Sequence, residues 1–137
     1  MASILVAIDN TMPSKEAVEY AIKIAKATDS GLLVLGIIPI HLYNRWESGL
    51  KEIEKATEKS LNSVREIAEK SGIKVESIIC SGYPDEEIIR VSAELDVSMV
   101  IMPSGKGDGS EICKAAAILL NELAKPLKKP LVLVPVS

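Results

Sequence analysis

Five short apolar runs recur along the chain, and the segments between them carry apolar positions at helical spacing. Ser3-Ile4-Leu5-Val6-Ala7-Ile8 runs without polar alternation and stops at Asp9. Leu32-Leu33-Val34-Leu35-Gly36-Ile37-Ile38 does the same between Gly31 and Pro39. An unbroken apolar run suits a strand covered on both faces, as in a parallel sheet. The first strand is read from about Ser3 to Asp9, the second from Gly31 to Ile38, the third from Lys74 to Ile79, the fourth from Val97 to Met102 and the fifth from Pro130 to Val134.

The intervening segments read as helices. Pro13 fits the first turn of one that continues to about Thr28, with Ala17, Ala21, Ile24 and Ala25 on one face. A charged helix follows from about Gly49 to Ser71, with Leu50, Ile53, Leu61, Val64 and Ala68 at helical spacing and Gly72 as its C-cap. Pro84 opens a third helix whose first turn holds Asp85, Glu86 and Glu87, where the helix dipole favours acids. The last runs from about Glu111 to Lys125, and Pro126 and Pro130 bracket the turn into the final strand. Five strands alternating with four helices predict an α/β domain with one parallel, doubly wound sheet.

Composition narrows this picture. A chain of 137 residues predicts one domain spanning residues 1–137, and a hydrophobic share of 47% is ample for its core. That core is aliphatic, because the chain has no Phe, one Trp and three Tyr. A net charge of -3 argues against a general nucleic-acid binder. The opening apolar run is too short for a signal core, and no run is long enough to span a membrane, so the expectation is a soluble cytoplasmic protein. Cys80 and Cys113 are too few for a disulfide framework or a zinc site, and both read as small buried hydrophobes.

Residues 104–110 carry the strongest chemical signal. Gly105, Gly107 and Gly109 alternate between a buried strand and a helix start. Glycine lets a backbone approach a ligand, and a helix N-terminus offers free N–H groups and partial positive charge. Ser104 and Ser110 flank this phosphate cradle, Lys106 adds a charge, and Ser110 can cap the helix or bond a phosphate. Asp108 and Glu111 work against an anion there, and a plain strand-to-helix turn explains the same residues. The spacing matches neither a P-loop nor the dinucleotide fingerprint.

Asp9 lies where open α/β sheets bind ligands, just past a carboxyl strand end. It reads either as an acceptor for a ribose or a ligand amine, or as a cap for the following turn. Asn10 and Thr11 are turn residues on both readings. His41 has no neighbouring His or Cys, so no metal site is expected. Tyr43 and Trp46 fit packing or an oligomer contact as well as base stacking. No nucleophile–base set assembles around the single histidine, so no catalytic residue is assigned.

Together these pieces resemble the universal stress protein family along the whole chain. Ile4-Leu5-Val6-Ala7-Ile8-Asp9 is similar to that family's first strand and its acidic end, and Ala17 to Ala25 to its first helix. Gly82-Tyr83-Pro84 followed by Ile88 resembles its Gly-x-Pro turn, Val100-Ile101-Met102 its fourth strand, and Pro130 to Val134 its last. The resemblance implies a Rossmann-like fold of the adenine nucleotide alpha hydrolase type, with sheet order 3-2-1-4-5. It implies a stress-response regulator that binds ATP or AMP at the carboxyl ends of strands 1 and 4, with Mg only alongside ATP. The implied nucleotide site comprises Ala7, Asp9, Asn10, Ile38, Pro39, Met102, Ser104, Gly105, Gly107, Gly109 and Ser110. It further implies a homodimer joined at the edge of Leu131, Val132, Leu133 and Val134, an edge that is an association hazard unless paired.

The ATP-binding branch of the family carries Gly-x-x-Gly, nine residues, then Gly-Ser/Thr after strand 4. Aligned back from Pro130, Ser104 and Gly107 fall on the first two glycines and Ala117-Ile118 on the final Gly-Ser/Thr, so only Gly107 matches. Either residues 105, 107 and 109 rebuild the phosphate site, or the chain is a homodimeric interaction module that holds no nucleotide. Weak ATP hydrolysis is the most that an enzyme reading supports. A receiver domain, a flavodoxin and an ATP pyrophosphatase each lack their signature residues here, at 79–81 and 135 for the first and at 9–13 for the others.

Overall fold

A computed structural model of the chain describes residues 2–9, 15–39, 49–105, 111–120 and 127–135. The elements alternate as β1 (Ser3–Ile8), α1 (Lys15–Ala27), β2 (Gly31–Ile38), α2 (Gly49–Lys70), β3 (Val75–Ser81), α3 (Pro84–Glu94), β4 (Val97–Ser104), α4 (Glu111–Leu119) and β5 (Leu131–Pro135). The strands form one sheet in the order β3-β2-β1-β4-β5, every pair parallel.

Helices cover both faces. Ile4, Val6 and Ile8 of β1 join Leu32 and Val34 of β2 beneath Ala17 and Ala21 of α1 and Leu61, Val64 and Ala68 of α2. Leu5 and Ala7 join Leu33, Leu35 and Ile37 beneath Ile88 and Val91 of α3 and Ile112 and Ala115 of α4. This is why β1 and β2 read as unbroken apolar runs: alternate side chains enter two separate cores.

Most predicted boundaries fall within two residues of the observed ones. β4 runs on to Ser104 because β5 continues to pair with it there. β3 runs to Ser81 beside Ile38 rather than stopping at Ile79. On α1, Val18 and Ile22 are buried while Ile24 is half-buried. The wider buried stripe lets α1 rest on β1, β2, β4 and β5. Gly72 takes φ 79 just past α2, as a C-cap requires. Pro13, the loop at 40–48 with His41, Tyr43 and Trp46, and the end predicted for α4 at Lys125 lie outside the described residues.

Candidate functional site

The connection from β3 crosses over β2 and β1 to reach β4, so the strand order reverses between β1 and β4. A crevice opens at such a point beyond the carboxyl ends of the strands, because the connections leave in opposite directions. Asp9 follows β1 there and is 3% exposed. Val6 lies beside Ile101 in the β1–β4 register, and the neighbouring β4 ends at Ser104. An acid this buried needs compensating interactions, and Asp9 is not without a partner.

Ser104 is half-buried at the last position of β4, and Gly105 follows with φ 130, a conformation that side chains oppose. α4 then begins at Glu111. Gly105 is the last described residue before α4. Glu111 in the first turn of α4 pairs with Lys114 at 3.2 Å, which offsets part of its negative charge. Ala117 and Ile118 stand near the opposite end of α4 and are exposed. They are remote from the N-terminus of α4.

The other candidate positions are placed as follows. Ala7 is fully buried in β1, and Pro39 is buried where β2 ends. Ile38 is buried too, and its carbonyl accepts the Gly82 N–H at 3.1 Å on the β3 side. The Met102 side chain lies in the core under α3 and α4. Asn10, Gly107, Gly109 and Ser110 lie outside the described residues. Leu131 to Val134 form β5, an edge strand whose side chains are half-buried.

The fold also assembles a polar cluster around Cys80. Cys80 of β3 donates its thiol hydrogen to Glu87 of α3. Glu87 accepts two bonds from Arg90, at 2.9 and 3.2 Å, and Arg90 reaches Glu94 at 3.1 Å. Cys80 is thus half-buried with a polar partner rather than a plain buried hydrophobe, while Cys113 is 7% exposed. Burial, with the nearby Glu87 carboxylate, pushes the Cys80 thiol up to about 12. The bonds from Arg90 hold the Glu87 carboxyl below the usual range. A neutral thiol beside a firmly ionised acid is the reverse of a reactive cysteine. The signal for this cluster was the i, i+3, i+7 spacing of Glu87, Arg90 and Glu94.

Among the described residues no group of three His, Cys, Asp or Glu side chains gathers to hold a metal ion. Among the same residues no helix is long and apolar enough to cross a membrane.

A sequence profile described as "Universal stress protein family" matches residues 1–135. A universal stress protein of Methanocaldococcus jannaschii is 24% identical over 132 residues, covering 92% of this chain and 75% of that protein. Among solved structures, a member of the family from Burkholderia pseudomallei superposes with a TM-score of 0.78 at 16% identity, over 98% of this chain and 96% of its own. A universal stress protein from Archaeoglobus fulgidus, solved in complex with dAMP, superposes with a TM-score of 0.69 at 17% identity, over 97% of each chain.

Proposed function

The chain belongs to the universal stress protein family, and we propose that it acts as a cytoplasmic stress-response regulator that binds an adenine nucleotide, ATP or AMP, beyond the carboxyl ends of β1 and β4. The observation that carries this reading is Asp9, 97% withdrawn from solvent just past β1 at the strand-order reversal, where the neighbouring β4 ends at Ser104. Asp9 supplies an acceptor for a ribose hydroxyl or a ligand amine. Gly105 lets the backbone turn close to a phosphate, and α4 opens six residues later with free N–H groups suited to an anion. The relative bound to dAMP supports the ligand class. Magnesium would accompany ATP alone, since a triphosphate itself provides ligands for it.

On this reading the nucleotide acts as a signal, changing the surface the protein offers to a partner. A second reading is an interaction module on the same fold that holds no nucleotide; the glycine segment is then a plain turn. The half-buried edge of β5 favours self-association on both readings, and we take the assembly to be a homodimer through that edge.

The test is mass spectrometry of nucleotides released from freshly purified, denatured protein, followed by calorimetric titration of ATP, AMP and adenosine into the emptied protein. Tight ATP binding places a working phosphate site at residues 104–110. Binding of AMP or adenosine alone limits the site to the nucleoside side. No release and no heat would leave the interaction module.

A further inference from the structure

In a strand the N–H and C=O of one residue point toward the same neighbouring strand, and those of the next residue point the other way. Two bonds set this parity here. The Ser3 N–H donates to the Asp96 carbonyl at 2.9 Å, so the odd residues of β1 face β4. The Val100 N–H donates to the Pro130 carbonyl at 2.9 Å, so from Met99 on, past the register shift between Ser3 and Ile4, the even residues of β4 face β5 and the odd ones face β1.

Ile101 stands beside Val6. Its peptide groups therefore join the Leu5 carbonyl and the Ala7 N–H. The next rung would run from an N–H at 103 to the Ala7 carbonyl, and Pro103 has no N–H. The β1–β4 ladder ends at Val6–Ile101, although β4 itself continues beside β5 as far as Ser104. The Ala7 carbonyl is left facing β4 without its ladder partner, in a residue that is 0% exposed. Proline inside an inner strand removes a ladder bond and is rare for that reason. This one stands at the switch point, one position before Ser104. A buried acceptor deprived of its donor calls for a reason, and a ligand supplies one.

We propose that Pro103 is a specificity-determining residue of the nucleotide site: by withholding an N–H it keeps the Ala7 carbonyl open as an acceptor for a ligand hydroxyl or exocyclic amine. This rests on the nucleotide reading above. It goes further in naming what the ligand must present at this point, a hydrogen-bond donor. A phosphate oxygen is refused there, because two acceptors repel.

The test is Pro103→Ala, which returns the missing donor. In the free variant the residue 103 amide should be protected from hydrogen exchange, since it closes the rung on Ala7. Affinity for AMP should fall roughly 3- to 10-fold, the worth of one ordinary hydrogen bond. The wild-type chain should discriminate against the analogue that lacks the donor, IMP if the donor is the amine and a deoxy-AMP if it is a hydroxyl. The variant should lose that preference. Circular dichroism and the thermal midpoint confirm that the variant is folded. An unprotected amide at 103, or unchanged affinity and preference, overturns the proposal. Absence of nucleotide binding by the wild-type protein overturns the function reading itself, a result distinct from a wild type that binds and a variant that binds identically.

Discussion

At Cys80 the surroundings suppress chemistry. The unfolded chain carries an ordinary thiol at 9.0, whereas in the fold burial, aided by Glu87, raises it to about 12. Alkylating reagents attack the thiolate, so Cys80 should react with iodoacetamide at pH 8 on the order of 100- to 1000-fold more slowly in the native protein than in urea. Glu87→Gln should recover part of that rate, because it removes the charge but leaves the burial. Native and unfolded rates that match would show the thiol to be free of Glu87. Linkage has a definite sign: stability conferred by the neutral thiol is complete below pH 9.0 and is lost as pH climbs toward about 12. Little of this was legible in the sequence, where Cys80 and Glu87 are separated by a turn and meet through the fold. Pro103 is a similar case. A proline at the end of an apolar run reads as a strand stop; in the sheet it interrupts one ladder while the other runs past it.

At the scale of elements, α2 was legible because its charged and apolar positions separate cleanly at helical spacing, and Leu61, Val64 and Ala68 are buried as predicted. Thr57 was not, although it sits in the same stripe between Ile53 and Leu61 and is 0% exposed. Its hydroxyl bonds back to the Ile53 carbonyl at 2.8 Å, which lets a polar residue occupy a core position. Its methyl presses on β2 at Gly36, where an added Cβ would lie 2.9 Å from Thr57 Cγ2 and 3.2 Å from Leu61 Cδ1. Gly36 thus sets how closely α2 approaches the sheet, a role a glycine within an apolar run does not announce. Gly36→Val should cost about 1–3 kcal/mol in urea unfolding, the usual penalty for overpacking. A midpoint equal to wild type would mean that α2 shifts outward freely. The candidate site is legible to a similar degree: Asp9 sits at a predicted strand end and Ser104 two residues past one, while their juxtaposition depends on a sheet order that the residues alone do not dictate.

For the whole molecule, the doubly wound architecture followed from alternation, and the order β3-β2-β1-β4-β5 agrees with what the family resemblance implied. That order leaves β3 and β5 at the two edges. The hydrogen-bond parity that exposes Ala7 also says which residues of β5 are available to a second copy. Pro130 turns its carbonyl to Val100, so Val132 and Val134 likewise spend their peptide groups on β4. Leu131 and Leu133 direct theirs to the open edge, and Pro135 stands there without an N–H to offer. A homodimer that extends the sheet at β5 must therefore use the Leu131 and Leu133 peptides. Leu133→Pro deletes an outward donor and spares the β4 ladder, as proline on an edge strand can. Val132→Pro breaks the ladder to β4 and should lower the thermal midpoint instead. Light scattering should then find Leu133→Pro monomeric with its circular dichroism intact. A Leu133→Pro protein that stays dimeric would move the contact away from the β5 edge and leave β3, or a helical face, to hold the two copies together.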